Sequence, residues 1–134
     1  MLLARRFTLN PVLVVISLVF FFAMVGARAA ADIRDLPTDA TTSAQTLPKV
    51  YGIGPTSWIL PLAVTVAAAI SVGLGRSNAF DSDYIFWTLV SFTPAVVMAW
   101  SFPFRPTPNY AFILVWPYWG VGVLYMLALL MGST

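Results

Sequence analysis

The sequence predicts an all-α integral membrane protein, folded as one small domain of four transmembrane helices. Three observations support this prediction. Four stretches are long and almost purely apolar, and the clearest of them, residues 58–75, contains no charged residue. Hydrophobic residues make up 60% of the chain and charged residues only 9%, whereas soluble domains have about 25% charged residues. The basic residues lie at or outside the edges of the apolar stretches, where helix ends meet headgroups and water.

The first apolar stretch, residues 11–25, has two interpretations. Arg5 and Arg6 precede it and the small residues 26–31 follow it, which is the pattern of a cleaved secretory signal peptide. The alternative is a retained helix over residues 10–29, with Pro11 in the first turn, where its missing N–H costs no hydrogen bond. We favour the retained helix, which gives four transmembrane helices. Cleavage would leave three.

Residues 32–56 form the one long polar stretch of the sequence. They are rich in Thr, Ala, Pro and Asp and show neither helical nor strand periodicity. We therefore expect an irregular loop on the membrane surface, and the alternative is an arm that orders only against a neighbouring protein. Arg5 and Arg6 favour an N-terminus on the cytoplasmic side, or on the matrix or stromal side of an organelle, which puts this loop on the translocated face. Four other basic residues also fall on that face, against the usual charge rule.

The second predicted helix, residues 57–75, carries a stripe of small side chains. Ala63, Ala67, Ser71 and Gly75 recur every four residues and so share one face of the helix. Small residues let two helix backbones approach closely inside a membrane, where lipid gives helices little hydrophobic drive to associate. We expect this stripe to pack inside the chain's own bundle. The alternative is a contact with a partner subunit.

The third and fourth predicted helices, residues 84–102 and 110–131, are joined by a short turn with three prolines, which makes them a hairpin. Pro94 falls in the middle of the third helix and Pro117 interrupts the fourth. A proline inside a helix removes one backbone hydrogen bond and is a common cause of kinks. We expect kinks at both positions, and a static bend more readily than a functional hinge.

Aromatic residues near the helix ends are typical of the belts that anchor helices at the two membrane interfaces. The chemistry of Trp and Tyr, an apolar ring with a polar group, suits that position. Four deeper aromatic residues, Trp116, Tyr118, Trp119 and Tyr125, are expected to serve core packing first, with contacts to lipid or to a pigment or cofactor as the alternatives. The predicted interface anchors are Trp58, Trp87, Trp100 and Tyr110, with Tyr84 and Phe102 in similar positions.

The residue types that are missing exclude several chemistries. The chain has no Cys, no His and no Glu, which removes thiolate nucleophiles, Fe–S ligands, the commonest metal ligand and the usual general base near neutral pH. No ionisable residue lies at the centre of an apolar stretch, where ion-coupled transporters place theirs. We expect no catalytic residue, no metal site and no evident cofactor, although a bound lipid or pigment is compatible with this composition. The net charge of +2 is too small and scattered for a nucleic-acid surface.

These observations favour a structural role. We expect a non-catalytic accessory subunit that stabilises a multi-subunit membrane complex by helix packing, with other membrane subunits and lipids as partners. Respiratory or photosynthetic electron-transport assemblies are the first candidates, in a bacterial inner, mitochondrial inner or thylakoid membrane. One alternative is a small transporter or channel lined by Ser, Thr and backbone groups near Pro94 and Pro117. A second alternative is a membrane assembly factor.

Overall fold

The computed structural model of the chain describes residues 10–77 and 80–132. Of these residues 86% are helical, and none is in a strand. Arg5 and Arg6, on which the signal-peptide interpretation and the orientation depend, lie outside the described residues. The elements are α1 (Pro11–Asp39), α2 (Leu47–Tyr51), α3 (Ile53–Gly75), α4 (Ser82–Ser101), a 3-10 turn (Phe102–Phe104) and α5 (Pro108–Met131).

Four of the helices are long and apolar enough to cross a membrane: α1, α3, α4 with the 3-10 turn that follows it, and α5. The predicted all-helical fold with four such helices is confirmed. Their apolar length is the physical reason, because a helix needs roughly 20 mostly apolar residues to span the hydrocarbon of a bilayer. α4 and α5 each begin two residues before the positions predicted for them, at Ser82 and Pro108.

The long helices form a closed ring in which every neighbour runs antiparallel. α1 packs against α3 and α5, and α4 packs against the same two helices. This is the up-down-up-down arrangement of a four-helix bundle with short connections. Its centre is filled by side chains from all four helices, and the largest fully buried ones include Val19, Ile33, Leu60, Tyr84, Leu114 and Tyr125.

The first helix is longer than the sequence predicted. α1 continues to Asp39 instead of ending at residue 29, so the predicted irregular loop over residues 32–56 is wrong across 32–39. Tertiary packing explains the difference, because Asp32 and Ile33 lie on the buried face of the extension. Arg28 also pairs with Asp32 one turn later, Nε to Oδ1 at 2.9 Å, and pairs with this spacing support a helix.

Only a short part of the predicted loop is irregular. The chain turns back between α1 and α2, and the ammonium of Lys49 donates to the carbonyls of Asp39, Thr42 and Ala44 at 2.9, 2.6 and 3.2 Å. The first of these bonds ties α2 to the last residue of α1, and the other two hold the turn between the helices. Gly52 then joins α2 to α3 with a φ of 88°, a conformation that a residue without Cβ adopts readily. α3 therefore begins at Ile53, four residues before the predicted start.

The helices continue through both central prolines, although neither proline can donate a backbone hydrogen bond. α4 runs without a break past Pro94, and α5 runs past Pro117. Next to Pro94, the Ser91 hydroxyl donates to the Trp87 carbonyl of its own helix at 2.6 Å. The kinks at the two prolines stay a prediction, because a continuous helix can be straight or bent.

Candidate functional site

The stripe of small residues on α3 is buried inside the chain's own bundle. Ala63, Ala67, Ser71 and Gly75 are all buried, and the carboxyl half of the stripe faces α4. A Cβ added at Gly75 would lie 2.7 Å from Ile85 Cγ1 and 3.0 Å from the Tyr84 ring. The absent side chain at Gly75 therefore sets how closely α3 and α4 approach. Any subunit outside the bundle would have to contact a different surface.

Three buried hydroxyl groups form a cluster at the centre of the bundle. The Tyr84 hydroxyl lies 2.9 Å from Ser71 Oγ and 2.8 Å from the Tyr125 hydroxyl, and it also reaches the Ser71 carbonyl at 3.3 Å. The Ser71–Tyr84–Tyr125 cluster thus links α3, α4 and α5. Hydrogen bonds between polar side chains hold helices together where water is absent. Each hydroxyl has a partner in another helix, so the cluster serves packing.

The structure changes the predicted role of two aromatic residues. Tyr84 and Phe102 were expected at the membrane interface with the anchors, but both are fully buried. For Tyr84 the cause is α5, whose last residues cover the start of α4: the Asp81 N–H donates to the Gly132 carbonyl at 3.2 Å. The position of Tyr84 near a helix end in the sequence does not show that α5 covers it. The sequence signal for the cluster was Ser71, a polar residue about one turn before the end of an apolar helix.

The four interface anchors lie at the two ends of the bundle, partly exposed. Trp58 and Trp100 meet edge to face with ring centroids 6.2 Å apart, and the Trp100 indole donates to Thr65 Oγ1 at 3.0 Å. Tyr110 shares the same end, where its hydroxyl is hydrogen-bonded to that of Ser101. Trp87 lies toward the other end, near the start of α4. The structure thus brings three of the four anchors to one end.

The deeper aromatic residues of α5 divide between the inside and the outside of the bundle. Tyr118 is buried against Gly26 of α1, and its hydroxyl donates to the Leu60 carbonyl of α3 at 2.9 Å. Trp116 and Trp119 point outward. They belong to a row of large apolar residues spaced alternately four and three apart, which we call the α5 seam. Its members are 53% to 71% exposed: Phe112, Trp116, Trp119, Val123, Met126 and Leu130.

Charged side chains are confined to the ends of the bundle. Asp32 is the only buried charged residue among those described, and it pairs with Arg28. Arg34 makes a bidentate pair with Asp35, Nε to Oδ1 at 2.6 Å and Nη2 to Oδ2 at 2.7 Å. Within residues 10–77 and 80–132, no group of three or more acidic, His or Cys side chains is placed to hold a metal ion.

Comparison with known proteins adds no assignment. No family model, no curated protein and no solved structure matches the chain. The features available for function are therefore the buried stripe, the Ser71–Tyr84–Tyr125 cluster and the outward surface. Of these three, only the outward surface is accessible to another molecule.

Proposed function

We propose that the chain is an integral membrane protein that serves as a non-catalytic accessory subunit of a larger membrane complex, with a bioenergetic complex as the first candidate. The α5 seam is the observation that carries this proposal. It offers a continuous row of large apolar side chains to a partner helix.

Contacts across the bundle place three tryptophans at one level with Arg28. The Gly26–Tyr118–Leu60 contact places these three residues at a similar height along the bundle. Arg28 on α1, Trp116 on α5 and Trp58 on α3 each lie two residues from one of these positions. In all three helices, that step leads toward the end of the bundle where α1 finishes. The Trp58 ring in turn meets that of Trp100. Tryptophan and arginine at one level are typical of a headgroup region.

The distance from this level to the opposite end of the bundle matches a bilayer. The segment 11–28 of α1 and the segment 58–75 of α3 each rise about 26 Å at 1.5 Å per residue. This length is close to the roughly 30 Å of bilayer hydrocarbon, and the interfacial zones on both sides add to it. It supports a bundle that crosses the membrane, with the end of α1 and α2 outside the hydrocarbon.

The composition of the α5 seam supports a partner helix. Its alternate steps of four and three residues allow packing at a small left-handed crossing angle, but the exposed row of Phe86, Val90, Thr93 and Val97 on α4 has the same spacing. The seam differs from that row in its two outward tryptophans within the helix, Trp116 and Trp119. Trp119, at 71% exposure, lies about 4.5 Å deeper than the tryptophan level, given the rise of a helix. Tryptophan prefers the headgroup zone over the hydrocarbon and is enriched in protein–protein interfaces. A partner surface accounts for its depth.

The filled interior also supports a function that depends on contacts at the outer surface of the bundle. Tyr84, Phe92 and Tyr125 occupy the centre of the bundle, with Phe92 and Tyr125 in edge-to-face contact at 5.5 Å. Two polar residues close to Pro94, where a pore was considered, do not face each other: Ser91 is buried and bonded within its helix, and Thr93 is exposed on the outside. The geometry thus favours the subunit over the transporter.

A matched pair of variants tests the proposal. Val123 in the seam and Val97 on the outer face of α4 are exposed to 62% and 65%. We expect the wild-type chain, extracted from native membranes in mild detergent, to migrate with a larger complex at fixed stoichiometry. Val123→Trp should release it because the larger ring separates the two helices, whereas Val97→Trp should leave it bound. Migration of the wild-type chain alone would refute the subunit role, and sub-stoichiometric, transient association would indicate an assembly factor.

A further inference from the structure

A narrow groove runs along the outside of the bundle between α1 and α5. Its volume is about 510 Å³. Apolar side chains line most of it, among them Val19 and Ala27 from α1 and Val115 from α5, and Phe92 of α4 lines it from behind. This volume lies within the roughly 300–1,000 Å³ that is usual for ligand clefts.

Small residues on both helices create this groove. Ala23, Ala27 and Ala31 recur every four residues along the α1 side. On the α5 side, a Cβ added at Gly122 would meet no described atom within 4 Å. The helices do not close over this gap, because the Tyr118 ring stands between them against Gly26. The stripe on α1 therefore leaves a space, unlike the stripe on α3.

The apolar part of the groove suits a hydrocarbon chain. On α1 this part extends from Val19 to Arg28, which is about 13 Å at the rise of a helix. The carbons of an acyl chain pack about 3.5–4 Å from apolar side chains such as those that line it.

Two arginine side chains lie at one end of the groove, each paired with a carboxylate. Arg28 and Arg34 line it, whereas neither of their partners Asp32 and Asp35 does. The Arg28 side chain is 73% exposed, and the Asp32 side chain beneath it is 7% exposed. Arg28 pairs with Asp32 through Nε, which leaves its two terminal nitrogens free of any bond to a described residue. Guanidinium groups bind phosphate oxygens through such paired donors.

We propose that this groove binds an anionic phospholipid, with one acyl chain along α1 and α5 and the phosphate on Arg28. The site rests on the membrane location proposed above but not on the accessory role. Arg28 lies at the level of Trp58 and Trp100, which is where a headgroup phosphate would be in a bilayer.

Native mass spectrometry of the purified chain tests the site. The probes are dioleoyl phosphatidylglycerol, which is anionic, and dioleoyl phosphatidylcholine, which has the same chains and no net charge. We expect one phosphatidylglycerol per chain, bound about tenfold more tightly than phosphatidylcholine. Arg28→Gln should bring the two affinities within about twofold by weakening only the anionic lipid. Retention of the full preference in Arg28→Gln would overturn the phosphate contact.

Gly122→Leu should abolish binding of both lipids because its side chain fills the groove. Gly120→Leu is its control, since Gly120 also has open space around its Cβ position but does not line the groove. Ala27→Leu fills the groove from α1 and replaces Gly122→Leu if that variant does not fold. Unchanged lipid binding in a folded groove-filling variant would overturn the proposal. The proposal would also be overturned if that variant released a co-migrating subunit while its lipid binding stayed intact. That result would identify the groove as a protein interface.

Discussion

Tyr84 links three of the four long helices through one hydroxyl group. It lies within hydrogen-bond distance of Ser71 on α3 and of Tyr125 on α5. The ring is also stacked on Phe80, with centroids 4.4 Å apart, and is fully buried. A polar group this deep needs partners, because leaving it unpaired costs more than a good bond gains.

Replacement of Tyr84 by Phe removes the central hydroxyl and leaves those of Ser71 and Tyr125 short of a partner. We expect a loss of about 1–2 kcal/mol in unfolding free energy, given the size of side-chain hydrogen bonds inside membranes and of unsatisfied groups. Equilibrium unfolding in mixed micelles measures it. Tyr110→Phe, which removes an exposed hydroxyl bonded to Ser101, should cost less than about 0.5 kcal/mol. Equal losses would show that the cluster adds nothing.

The contact between α3 and α4 depends on the absence of a side chain at one position. Gly75 faces Tyr84 and Ile85, and a methyl group there would lie 2.7 Å from Ile85 Cγ1. At Gly73, two residues earlier on the same helix, an added Cβ would have no described atom within 4 Å. The two glycines therefore differ in packing while sharing the same helix.

Gly75→Ala should destabilise the bundle by about 1–3 kcal/mol, because α3 and α4 must separate to admit the methyl group. Gly73→Ala should be neutral or stabilising by up to about 1 kcal/mol, since alanine loses less conformational freedom in a helix. Thermal unfolding of both variants in the same detergent gives the comparison. If Gly75→Ala proves as stable as Gly73→Ala, the stripe does not set the spacing between these helices.

The number of long helices could be predicted from the sequence. The residue at which α1 ends, and the burial of the start of α4 by α5, could not. Apolar length alone marks α3, α4 and α5, because the bilayer demands it. The extension of α1 to Asp39 depends on Ile33 packing inward and on Lys49 binding the last carbonyls, which are contacts with distant residues. The burial of Tyr84 likewise depends on the end of α5.

The candidate site shows the same division. The sequence predicted the stripe at Ala67 and Ser71, because a period of four residues is visible in a single helix. It did not indicate the α1–α5 groove, although Ala23 and Ala27 have the same spacing. Whether a small-residue stripe closes or stays open depends on the facing helix, and here the Tyr118 ring keeps it open.

On the scale of the whole molecule, the bundle has a packed interior and two adjoining outer features, which share Trp119. The Ser71–Tyr84–Tyr125 cluster and the α3 stripe lie in the interior. The α5 seam and the α1–α5 groove lie on the outside, and both involve α5. All functional proposals for this surface require that the four long helices cross a membrane in alternating directions.

Single cysteines test that requirement directly, since the chain has no Cys of its own. Ser43→Cys and Arg105→Cys lie at the end of the bundle with the carboxyl end of α1, and Ser77→Cys lies at the other end. In sealed right-side-out vesicles, an impermeant thiol reagent should label the first two and reach Ser77→Cys only after the vesicles are opened. Labelling of Ser77→Cys alone in sealed vesicles would still support four membrane crossings but would show that the orientation is the opposite one. Equal labelling of all three positions in sealed vesicles would contradict a membrane-spanning bundle.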